Sequence, residues 1–65
     1  MSRTWIVRDP LGFEHRVVIE GVQAYGFENL AHHLPRGERD AMNVAVLTAL
    51  HLNRPLPQGY TYEMA

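Results

Sequence analysis

The sequence predicts a small α+β domain of order ββααβ, and three observations carry that prediction. A turn signal, Asp9-Pro10-Leu11-Gly12, separates two β-rich runs; the stretch from Glu38 to Asn53 repeats apolar residues at helical spacing; and the final residues alternate large and polar side chains. With 46% apolar and 20% charged residues in a chain of 65, the composition is globular and the length makes a single domain over 1–65.

The first element is an antiparallel hairpin over about residues 4–20. Pro10 fixes φ at the second turn position, the Asp9 carboxylate accepts from the turn's own amides, and Gly12 tolerates the left-handed conformation that follows. That combination is a type I turn closed by a glycine bulge. Its register sets Asp9 opposite Phe13, Arg8 opposite Glu14 and Trp5 opposite Val17. Residues two apart share a face, so Trp5, Val7, Phe13, His15, Val17 and Ile19 line a core side. Thr4, Ile6, Arg8, Glu14, Arg16, Val18 and Glu20 line the other.

A first helix is expected over about 22–34, because Phe27, Leu30, Ala31 and Leu34 recur at i, i+3, i+4 and i+7, with Gly26 as the alternative start that leaves Val22 to Tyr25 as a connection. Pro35 ends it by disfavouring α geometry at Leu34. A second helix is expected over about 38–53, with Glu38 and Asp40 in its first turn and Arg54-Pro55 beyond its last. Ala41, Met42, Ala45, Val46, Ala49 and Leu52 fall in an arc of about 140° that could pack on the hairpin. The opposite side carries Val44, Leu47 and Leu50 beside His51, and a helix apolar nearly all round is buried on more than one side. Either the first helix or another chain covers that second side.

Residues 55–65 read as a stiff Pro55-Leu56-Pro57 connector and a short strand at about 60–64. The strand is expected to add to an edge of its own hairpin; an arm onto a partner and a disordered tail are the alternatives.

Composition excludes several classes of function. There is no cysteine and all six basic residues are arginine, so disulfides, thiolate-bound zinc, Schiff-base lysines and phosphate-loop lysines are absent. No apolar run reaches the ~18 residues of a membrane span, and the opening MSRTWIVRDP turns polar too soon for a signal peptide, which points to the cytoplasm. Size scaling has such a chain bury about 60% of its unfolded surface. That burial contributes on the order of 100 kcal/mol. Ordering the residues costs about the same. A core so nearly balanced points to association with another chain.

The candidate constellations are few. His32 and His33 would point about 100° apart on a helix, and no two histidines stand at i, i+4, so no metal or other cofactor is expected. No serine, threonine or tyrosine sits in a nucleophile motif, and the chain leaves little room for a substrate pocket, so no enzymatic activity and no small-molecule substrate are expected. The expected function is non-enzymatic protein binding through the spare helix face, as a homodimer or as an inhibitor or adaptor of a larger protein. Val44, Leu47, Leu50 and His51, with Tyr60 and Tyr62 of the tail, are the candidate contacts. Arginine-only usage fits a GC-rich coding genome, and the size class suits bacterial or phage accessory proteins, including inhibitors of host systems. The alternative is a DNA-binding regulator built on a helix-turn-helix-like 22–53 segment, with Arg36 and Arg39 on phosphates. Seven acids against six arginines, net charge −1, make the nonspecific phosphate attraction weak.

Overall fold

The computed structural model describes residues 2–65. Its elements are β1 (Ser2–Arg8), β2 (Glu14–Glu20), β3 (Gln23–Tyr25), α1 (Arg36–His51) and β4 (Thr61–Met64). The strands form one antiparallel sheet in the order β3-β2-β1-β4, and α1 covers one face of it.

The β1–β2 hairpin has the expected turn and register. The Gly12 amide donates to the Asp9 carbonyl at 2.9 Å, the Asp9 amide donates to Phe13 at 3.0 Å, and Gly12 takes φ +90°. Arg8 then pairs with Glu14, and Trp5 stands opposite Val17. Trp5, Val7, Val17 and Ile19 are buried on the face toward α1. Phe13, expected beside them, is exposed, and it departs from the pattern where the glycine bulge ends the regular alternation.

The segment 22–34 is not a helix, and the order is βββαβ rather than ββααβ. Gly21 takes φ +59° at the first position of a two-residue turn, the geometry of a type II′ hairpin, and this turns the chain back as β3 along β2. At Gly26, φ is +81° and a Cβ would overlap the Arg16 carbonyl oxygen, so only glycine lets the chain leave β3 this close to β2. Successive turns follow, with Leu30, His32 and Leu34 amides donating to Phe27, Asn29 and Ala31 carbonyls. These bonds span three residues, whereas an α-helix spans four. The apolar spacing is still used, since Leu30 and Ala31 are buried and Phe27 and Leu34 half-buried.

Side chains from elsewhere hold this segment. Asn43, buried on α1, accepts from the Ala31 amide at 2.8 Å and donates to the Glu28 carbonyl at 2.9 Å. Tyr60 donates its phenol proton to the Leu30 carbonyl at 2.7 Å. Backbone groups that a helix would satisfy internally are thus satisfied by distant side chains.

α1 ends in a Schellman arrangement at Asn53, φ +57°. The Asn53 amide donates to Leu50 and the Arg54 amide to Ala49. Its buried face is Asn43, Val46, Ala49 and Leu50, flanked by half-buried Met42 and Leu47. Compared with the alanine-rich arc expected from periodicity, the helix is rotated by about 80°. The rotation turns Leu50 inward and leaves Ala41, Ala45 and Leu52 outside. Burying a leucine releases more apolar surface than burying an alanine, and Asn43 fixes the rotation through its two backbone partners. β4 adds to β1, as the tail's alternation predicts, with Tyr62 opposite Val7 and Met64 opposite Trp5.

Candidate protein-docking site

Burial sorts the expected contact residues into two groups. Leu50, 2% exposed, and Tyr60, 7% exposed, belong to the core and present no outer surface. Val44 is 56% exposed, His51 is exposed and Leu47 half-buried at the rim. With Thr48, these three occupy i, i+3, i+4 and i+7, one stripe along the outside of α1. Tyr62 is exposed but lies on β4, where its ring meets Trp5 edge-on at 5.4 Å. The structure therefore brings Val44, Leu47 and His51 together and sets Tyr62 on the far edge of the sheet.

The stripe descends into a groove of about 370 Å³ between α1 and β3. Ile19 and Ala24 form its floor on the sheet side, Val22 and Leu52 its rim, and Leu47 and His51 its helix wall. Among the described residues no Asp, Glu, Lys or Arg lines it. Val22, in the two-residue turn, is fully exposed. Helical periodicity does not mark Val22, Ala24 and Leu52 as contacts, since it sets the first two at a helix start or in a connection and the third in the core-facing arc. The Gly21-Val22 pair between Glu20 and Gln23 was the available signal, a two-residue hairpin turn of the Gly-X kind.

The best-organised polar group lies at the other end of the sheet. Asp9 Oδ1 accepts from the Leu11 and Phe13 amides at 2.9 and 3.0 Å, and Oδ2 meets His15 Nε2 at 2.9 Å. Burial pushes the Asp9 carboxyl up, but the His15 hydrogen bond, the Phe13 and Leu11 amides and the positive charge of His15 outweigh it. The group is held below the ordinary aspartate value. An oriented aspartate-histidine pair is two-thirds of a nucleophilic triad, yet the adjoining groove, lined by Phe13, Glu14, Asn29 and His32 besides the pair, contains no hydroxyl. The pair closes the hairpin turn. Among the described residues no cluster of three or more His, Asp or Glu side chains is placed to hold a metal ion.

The premise of the DNA-binding alternative is also altered. With 22–34 formed of a strand and turns, residues 22–53 contain one helix and no helix-turn-helix. Arg36 is exposed at the start of α1, but Arg39 donates from Nε to the Leu34 carbonyl at 2.9 Å and so fastens the helix to the preceding turn. Among the described residues no helix is long and apolar enough to cross a membrane.

The fold and site define a two-layer α+β domain with an uncharged apolar groove between its helix and one sheet edge. Comparison with protein-family models, curated proteins and solved structures gives no match to this chain.

Proposed function

We propose that this is a non-enzymatic protein-binding module whose docking site is the outer stripe of α1 together with the α1–β3 groove. The observation that supports this reading is the continuity of apolar surface from Val44 through Leu47 to Val22 and Leu52, without a charged side chain lining the groove. Depletion of charge at the centre is the compositional mark of an interface. The partner is either a second copy or a larger protein that the module blocks or bridges, as suits a bacterial or phage accessory protein acting in the cytoplasm.

The test compares the wild-type chain with Val44→Glu and Leu52→Glu, whose side chains are exposed and whose replacement spares the core. Each variant is expected to keep the wild-type thermal unfolding profile while losing association, whether with itself by light scattering or with a protein retained from the native host. Undiminished association in both variants would overturn the reading.

A further inference from the structure

We infer that the occupant of this groove is a second copy of the chain, joined through the free edge of β3 in an antiparallel, two-fold β3–β3 pairing that makes one eight-stranded sheet. The inference rests on the docking-site reading above and adds the partner and its geometry.

The backbone of β3 supplies the first argument. A two-residue turn closes on a hydrogen-bonded Glu20–Gln23 pair, and antiparallel pairs alternate, so the next pair, Ile19–Ala24, is of the other kind. Ala24 therefore turns its amide and carbonyl away from β2, toward the free side of the sheet. A two-fold axis beside Ala24 lets two copies exchange both of these bonds, and it sets Gln23 of each opposite Tyr25 of the other.

Charge distinguishes β3 from the other edge. β4 carries Glu63 within a strand of four residues, and a charged side chain is a common guard against edge pairing. β3 has only Gln23, Ala24 and Tyr25, and the groove beneath it has no charged lining, so self-pairing brings no like charges together. An uncharged apolar surface is complementary to its own copy.

Exposed apolar side chains give the third argument. Val22, Val44 and Leu52 stand 104%, 56% and 48% exposed around this edge, and burying them beside the paired strands supplies apolar area toward the ~1,000 Å² of a specific interface. In this arrangement the two α1 helices lie side by side, each with its His51 and Leu47 over the joined strands.

The test is amide hydrogen exchange resolved at Ala24, with light scattering on the same samples, from low micromolar to millimolar protein. The expected result is a mass approaching twice 7.4 kDa, with the Ala24 amide slowing as dimer forms. Ala24→Pro should return the monomer with its hairpin intact, because that amide makes no bond within the sheet. A chain that stays monomeric throughout overturns the inference; the docking-site reading then stands or falls on whether Val44→Glu loses a captured heterologous protein. A dimer whose Ala24 amide exchanges as fast as in the monomer overturns the β3 pairing, while loss of that dimer in Val44→Glu would keep the docking site. Should Ala24→Pro unfold the chain, the exchange measurement on wild type decides alone.

Discussion

Tyr60 reaches across thirty residues of sequence to donate a hydrogen bond of 2.7 Å to the carbonyl of Leu30, and both residues are buried. The bond ties the start of the last strand to a turn that has no helix of its own to satisfy it. Tyr60→Phe keeps the ring and leaves the Leu30 carbonyl without its partner, at a cost of about 1–2 kcal/mol. The melting temperature should fall by roughly 5–10 °C, followed by circular dichroism.

Burial first, and the charge of Asp9 second, raise the Tyr60 phenol above its ordinary value of 10.0. The folded state thus favours the neutral phenol more than the unfolded state does. The resulting stability is complete below the ordinary tyrosine range and is lost as pH rises through the higher folded value. Urea midpoints between about pH 9 and pH 11 should decline in the wild type and be flatter in Tyr60→Phe. Equal slopes in the two proteins would place the alkaline loss elsewhere.

Asp9 acts in the opposite direction of pH. Its folded carboxyl lies below the ordinary aspartate value, so its contribution is complete above that value and disappears as pH falls through the lower folded one. Asp9→Ala should cost roughly 1–2 kcal/mol near neutral pH, since the Leu11 and Phe13 amides and His15 lose their acceptor. The difference between the variant and wild type should shrink in acid, measured as denaturation midpoints from neutral pH downward.

Asn43 has no apolar substitute of similar effect. In Asn43→Leu the Ala31 amide and Glu28 carbonyl both lose their partners, and the cost is about 3 kcal/mol. For a domain with so small a core this is a large share of its stability, and urea unfolding should show a much lower midpoint.

Two glycines should respond with opposite sign. Gly26→Ala forces a Cβ into the Arg16 carbonyl at a positive φ, and the expected result is loss of cooperative unfolding. Gly37→Ala, in the first turn of α1 with open space around it, should stabilise by about 0.5 kcal/mol through the helix propensity of alanine.

The parts of the fold legible in sequence were those set by local chemistry. Asp9, Pro10 and Gly12 specify one turn, that turn specifies the register, and the tail's alternation specifies a strand. The segment 22–34 misled because its apolar spacing is the same for an α-helix and for stacked three-residue turns. What separates the two is Asn43 and Tyr60, twelve and thirty residues from the groups they satisfy. The rotation of α1 was hidden for a related reason: a helix apolar on most sides has no preferred face until an outside contact chooses one. Val44, Leu47 and His51 stay at the surface after that rotation and Leu50 does not, while Tyr60 is buried for a separate reason, its bond to the Leu30 carbonyl.

The strand order β3-β2-β1-β4 also governs how the molecule comes together. β1 is the earliest strand in the chain and lies inside the sheet, between its nearest neighbour in sequence and its most distant one. The hairpin with β2 can close early over a short loop, whereas the other side of β1 waits for β4, with the helix and every turn in between. Until then Trp5 lacks Tyr62 and the Thr4 carbonyl lacks the Ala65 amide, so a half-made chain holds an open inner strand rather than a frayed end. Contact order therefore predicts that β4 joins β1 last, in a loop closure by the segment that returns to where the chain began.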